Sequence, residues 1–448
     1  MYRLRTVRPV TSDDKAKSNM TDQGLKRTLP GRFAIAVTVG GVIGLGILRG
    51  PGEIAEVVPE PFWYLALWLL GGLFVLLSTA VGTELLGMTP RSGGFYALIH
   101  RAYGPYPGFV IGWLDWLSFV VDIALKAVVI MEFVAILFPE TAEWRTALGI
   151  IVTTVFAAVQ LRGLTLGALI QESATALIGV GIVGLSLVLF FVAPVTSATN
   201  SMPANNGHSD WSLVIATIVF TYDGWLYASY FSGEMKGGAG AAARASIKGM
   251  IVVIVLYMLL NVALVKSVGL AALAGTDLAL AHALELTISP AAGSIVVIAA
   301  VLILLSHQNL AYMGGPRILQ ALAEDGFATQ RAKKVGKGGN PVFAVVATWV
   351  VSVGLILVGG FEFLLLLAVF IFVPLYLALI ASVPILRKRE PDAVRPYRAW
   401  GHPYSTIVCL IGWTVITLFQ AYAERETALY AVAMVAVSWP VYRYLARK

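Results

Sequence analysis

Residues 35–57 read IAVTVGGVIGLGILRGPGEIAEV, an apolar run whose middle holds Gly40, Gly41, Gly44 and Gly46. Only proline is a poorer helix former than glycine, and a lipid-facing helix gains nothing by concentrating glycine at mid-bilayer depth. Backbone that leaves the helix at that depth is tolerated only where it lines a protein-enclosed or water-filled site. Such a break frees amide N–H groups and creates a half-helix N-terminus, suited to a small anion such as a carboxylate. The stretch therefore predicts a solute site inside a membrane protein, together with a second interrupted helix. The competing reading is that these glycines only let helices pack closely.

The membrane setting follows from composition. The 448 residues are 58% hydrophobic and 13% charged, with a mean hydropathy of +0.81, whereas soluble domains carry about 25% charged residues. Apolar runs long enough to cross a bilayer lie near 33–57, 62–88, 106–137, 145–161, 165–193, 211–235, 247–268, 289–311, 342–359, 361–386, 404–422 and 427–444. Twelve crossings place both termini on one side. Lys and Arg concentrate in the N-terminal tail, in a loop expected to hold Arg317, Arg331, Lys333, Lys334 and Lys337, and in another holding Arg387 to Arg398. That bias makes the termini cytoplasmic and accounts for the net charge of +7 without any nucleic-acid partner. Residues 1–31 are polar and show no apolar core with a cleavage site, so they read as a cytoplasmic tail rather than a signal peptide.

The second break is expected in ATIVFTYDGWLYASYFSGEMK, where Asp223 and Gly224 interrupt the sixth span. An unpaired Asp at the centre of a membrane helix costs about 2.5–3.5 kcal/mol on insertion scales. Five crossings separate the two interruptions, and an odd number turns the second five-helix unit upside down, as in inverted-repeat transporters. The expected organisation is a tail at 1–31, a first repeat at 32–193, an inverted repeat at 211–386, and two last helices with a short C-terminus at 387–448.

The chain resembles members of the amino acid–polyamine–organocation superfamily, which have the LeuT-type fold. The resemblance is carried by GGVIGLGI (40–47) with PGEIA (51–55), PRSGGFYALIHRAYGPYPGFVIGW (90–113), FTYDGW and GEMK (220–225, 233–236), PRILQALAEDG (316–326) and RPYRAWGHPY (395–404). It implies an all-α protein of twelve transmembrane helices in a 5+5 inverted repeat, with spans one and six broken, working by alternating access. It also implies that the N–H groups of Gly44, Leu45 and Gly46 bind a substrate carboxylate. Carbonyls near Val42, Ile43, Phe220 and Thr221 would take the ammonium, and Phe220 would close over the substrate. Ser306 stands where hydroxyls of sodium-coupled relatives contribute to a cation site, yet residues 174–183 lack the Lys that replaces sodium in other relatives. The possible coupling ion is H+ or Na+, and no cofactor is expected.

Other ionisable residues leave alternatives open. Asp122 and Lys126 are i,i+4 in the third span and can pair; with Asp115 and Ser118 they form a stripe expected to face the interior. Lys126 is either a stand-in for a coupling ion or half of a structural pair. Asp223 either meets a cationic substrate group or caps the second half-helix. Arg49 is a candidate gate with Glu53 or Glu56. Trp225 reads as a gate residue or a core aromatic, His307 as a titratable or a core group, and Asn309 adds to the polar cluster around Ser306. Glu172 reads as structural. No phosphate-binding G-x-x-x-x-G-K-[ST] motif, hydrolase elbow or paired-histidine metal spacing occurs, and the single Cys409 excludes an intramolecular disulfide. An enzyme or a metal site is therefore not expected. The expected function is carriage of an amino acid across a cell membrane. A carrier of polyamines or other organic cations, and a non-transporting amino acid sensor, are the alternatives.

Overall fold

A computed structural model describes residues 28–89, 91–192, 211–276, 278–423 and 425–445. Among them the chain is almost wholly helical, with only isolated β-bridges. The helices are α1 (Gly31–Val42), α2 (Leu45–Val57), α3 (Pro61–Met88), α4 (Gly94–Tyr103), α5 (Pro105–Leu137), α6 (Arg145–Arg162), α7 (Leu164–Phe191) and α8 (Trp211–Thr221). They continue as α9 (Gly238–Ser267), α10 (Leu270–Leu273), α11 (Ala279–Thr287), α12 (Pro290–Glu324), α13 (Val342–Val358), α14 (Phe361–Arg389), α15 (Tyr404–Ala423) and α16 (Arg425–Leu445).

Among the described residues, nine helices are long and apolar enough to cross a membrane. Taken with the many exposed aliphatic side chains on their outer faces, this is a multi-pass membrane protein. Three of the expected crossings fall outside that class, each for a visible reason. Helix α5 carries Asp115, Asp122, Lys126 and Glu132, α8 stops after 11 residues, and α13 has 17. Start signals are local: Pro61, Pro105 and Pro290 sit in first turns, where the missing N–H costs nothing, and Ser289 caps α12 by accepting from Ala292 N–H.

The interior is organised by α5 and α12 lying along each other, with α9 packed on α1 and α3. Two expectations need correcting. Residues 238–246, read as a loop after the sixth span, form the first turns of α9, because alanines propagate a helix where the span rule asks for apolar bulk. Arg317, read as a loop residue, lies inside α12 and is 2% exposed.

At that end of the bundle Arg317 forms an ion pair with the fully buried Glu234. The same guanidinium faces the Phe231 ring at 5.0 Å and donates to Asn340 Oδ1 at 3.1 Å. Leu29 and Met235 form a parallel bridge through Leu29 N–H to Glu234 O and Lys236 N–H to Leu29 O. Arg91 pairs with Asp325 at 2.9 Å, and Glu84 accepts from Arg387, Arg395 and the Ala399 N–H. Glu172 pairs with Arg32 at 2.9 Å.

Removing one partner of a buried ion pair strands the other's charge, at a cost of about 3–5 kcal/mol, whereas an apolar replacement of both is close to neutral. Arg317→Met should therefore lower the thermal unfolding midpoint of the purified protein more than Arg317→Met combined with Glu234→Leu. Trp fluorescence during heating in detergent reads the order, and an equal or larger drop for the double variant would refute it.

Candidate functional site

The first interruption falls inside the glycine-rich stretch. Helix α1 ends at Val42, Ile43 and Gly44 are extended, and α2 restarts at Leu45. A helix break orphans groups on both sides: carbonyls before it and N–H groups after it. Gly41 and Val42 lose Leu45 and Gly46 as their i+4 donors. Their carbonyls are met instead by side chains from distant helices. His307 Nε2 lies 3.0 Å from Gly41 O, and its Nδ1 lies 3.4 Å from Ile303 O. The Tyr257 hydroxyl lies 2.9 Å from Val42 O.

The second interruption sits beside the first. Helix α8 ends at Thr221, residues 222–226 form turns, and Tyr227–Glu234 continue as a 3₁₀ segment. Tyr257 also lies 3.1 Å from Thr221 O. One phenol carries one proton, so carbonyls from both breaks share a single donor. Gly224 has φ +93°, and a Cβ there would come within 2.4 Å of Gly41 O. A Cβ on Gly46 would lie 2.5 Å from Thr221 Cα. Here the glycines do both things weighed above: they break the helix and let the two segments touch.

The N–H groups of Gly44, Leu45 and Gly46 are different. Gly44 provides no side-chain cap, and no acceptor meets these three groups among the described residues. All three residues are buried. They are the donors that a helix start leaves without an intrahelical partner, here inside the protein.

Beside the second break is a cavity of about 10 Å³, room for one water. Ser118, Asp122, Asp223, Gly224, Tyr227 and Tyr230 line it with several aromatic rings. Lys126 donates to Asp122 at 2.6 Å. Asp115 accepts from Tyr230 Oη at 2.7 Å and Phe95 N–H at 3.0 Å. The buried Oδ1 of Asp223 has no hydrogen-bond partner.

Of the expected binding residues, Val42, Ile43, Gly44, Leu45, Gly46 and Thr221 thus gather at the crossing of the breaks, while Asp223 and Gly224 border the cavity. Phe220 is half-buried in the last turn of α8 and does not line the cavity. Asp223 does not cap the following segment, whose N-cap is Leu226 without a side-chain bond. Trp225 is fully buried against Tyr376 at 5.2 Å between ring centroids. Arg49 is half-buried on α2, and the nearby Glu53 accepts from Thr217 at 2.7 Å.

Ser306 and Asn309 belong to a buried polar chain. Gln171 Nε2 donates to Ser306 and Thr175, and Thr175 donates to Ala36 O at 3.1 Å. Asn309 donates to Gly167 O and accepts from Gln160, and Asn340 donates to Gln160 O at 2.6 Å. Asn340 in turn accepts from Arg317. Tyr257, Gln171, Gln160, Tyr227 and Tyr230 were not singled out from sequence. A polar residue inside an otherwise apolar span was the available signal for Gln171, and none marked Tyr257.

These features define the class: a multi-pass membrane protein whose interior is built around two interrupted helices. A family model described as Amino acid permease matches residues 33–440. The chain belongs to that family, within the amino acid–polyamine–organocation superfamily. It is 24% identical over 400 residues to the serine/threonine exchanger SteT of Bacillus subtilis (strain 168), covering 87% of this chain and 90% of the relative. A gamma-aminobutyric acid permease of the same organism is 26% identical over 455 residues, 95% of each chain. A polyamine transporter of Oryza sativa subsp. japonica is 27% identical over 384 residues, 82% of this chain and 70% of the relative. The family is one of transporters rather than enzymes.

Tyr257→Phe removes the shared donor without changing ring volume. A buried carbonyl left unmet costs about 1–3 kcal/mol, so the variant should unfold several degrees lower. Tyr257→Phe unfolding at the unmodified midpoint would mean that neither carbonyl depends on the phenol.

Proposed function

We propose that the chain is a secondary carrier that moves an amino acid across the cell membrane by alternating access. In this reading twelve crossings form two inverted five-helix repeats, 32–193 and 211–386, followed by two peripheral helices, with both termini cytoplasmic. The observation that carries the reading is the trio of buried, unmet N–H groups at Gly44, Leu45 and Gly46. A carboxylate at a half-helix N-terminus satisfies them and is favoured by the helix dipole. The substrate ammonium then competes with Tyr257 for the carbonyls of Val42 and Thr221, so loading frees the phenol from at least one break. The two breaks are in close contact at Gly46 and Thr221, so loading requires the segments that carry them to separate. Phe220, at the edge of the second break, is placed to follow that movement.

For coupling we propose sodium-independent transport, as proton symport or as exchange. The carboxamide of Gln171 occupies the space between the Ser306 and Thr175 hydroxyls, where a cation would need their oxygens. One relative, the serine/threonine exchanger, is named for the second of these modes.

A second reading, an organic-cation or polyamine carrier, draws on the buried unpartnered oxygen of Asp223. Uptake into proteoliposomes holding only this chain separates the readings, using labelled serine, gamma-aminobutyrate and putrescine with and without internal amino acid. An amino acid carrier moves one of the first two, keeps that flux in Asp223→Asn within a few-fold, and is indifferent to replacing sodium by choline. Flux of putrescine alone, lost in Asp223→Asn, would overturn the amino acid reading. Binding without flux would make the chain a sensor.

A further inference from the structure

A cavity of about 320 Å³ lies between α2, α7, α9, α11 and α12. Every residue lining it is Ile, Leu, Val, Ala or Gly. Its outer rim is formed by Leu177 and Ile295, each 61% exposed on the face that the bilayer covers. Its floor is formed by Ile47 and Leu260, each 2% exposed. The space thus runs from the membrane surface to the first turn of α2, immediately after the helix break. On the inner wall is Gly181, where an added Cβ would meet nothing within 4 Å.

Water does not settle in a cavity without polar partners, and an apolar cavity about half this size already takes up small hydrocarbons. The surface with which the cavity is continuous faces acyl chains. A charged anchor stands above it: Lys266 lies six residues beyond Leu260 on α9, about 9 Å along the helix. Its Nζ donates to Phe190 O at 2.8 Å. The same ammonium faces the Phe190 ring at 3.7 Å, and with three N–H donors it can also serve a phosphate oxygen. Aliphatic lining, an opening to the bilayer and a cation at the level of the α7 and α9 ends together match one kind of molecule.

We propose that this cavity is a phospholipid site, with an acyl chain filling it down to Ile47 and the phosphodiester held near Lys266. An occupied cavity wedges α2 against α7 and α12. The lipid thereby becomes a packing element of the same half-helix whose N–H groups form the proposed carboxylate site.

The test uses the full chain in nanodiscs of phosphatidylglycerol carrying a photoactivatable diazirine on one acyl chain, followed by peptide mapping. Labelling needs no transport, so its outcome is independent of the carrier reading. The expected result is strong label within residues 177–185 and 295–303. Gly181→Leu and, separately, Ala299→Leu should reduce it about tenfold while label on the exposed α15 face at Ile407, Ile411 and Leu418 persists. Lys266→Gln should weaken it several-fold. Label at the cavity that is no stronger than on α15, or that survives both filling substitutions, would overturn the proposal.

Discussion

The structure depends on where the backbone groups released by two broken helices find partners. In a membrane interior each unmet N–H or C=O costs free energy that no solvent repays. Three of the released carbonyls are met internally: His307 lies against Gly41 O, and Tyr257 reaches Val42 O and Thr221 O. The amide side, at Gly44, Leu45 and Gly46, has no such partner among the described residues. In the proposed function a substrate carboxylate meets these three N–H groups.

Sharing one phenol has a mechanical consequence. The segments carrying Val42 and Thr221 cannot separate without one carbonyl losing the donor, so movement at one break is felt at the other. From Ala36, a few residues before the first break, hydrogen bonds run through Thr175, Gln171 and Asn309 to Gln160, Asn340 and Arg317, with Ser306 branching from Gln171. Arg317 holds Glu234 at the end of the second interrupted segment. The bundle's centre and its Leu29 end are thus joined by polar contacts with fixed partners.

Several parts of this arrangement were legible in the chain. The glycine cluster and the Asp223-Gly224 pair stand out because both contradict what a lipid-facing helix wants. The stripe of Asp115, Ser118, Asp122 and Lys126 was legible for a similar reason, since helical spacing places all four on one face. The partner of an orphan carbonyl was not legible. Tyr257 lies in an ordinary apolar span, and nothing local distinguishes a tyrosine that bridges two breaks from one at a membrane interface. Arg317 was misplaced because a basic residue near a span's end reads as a loop anchor, and only three-dimensional proximity to Glu234 makes its burial affordable. Of the two roles weighed for Asp223, capping is not seen, because the segment after the break starts at Tyr227 with Leu226 in the cap position.

The most direct measurement is the structure of the protein loaded with a transported amino acid. The account requires a carboxylate oxygen at hydrogen-bond distance, about 2.7–3.2 Å, from the amide nitrogens of Gly44, Leu45 or Gly46. A bound amino acid whose carboxylate is held elsewhere, with those three N–H groups still unmet, would contradict it.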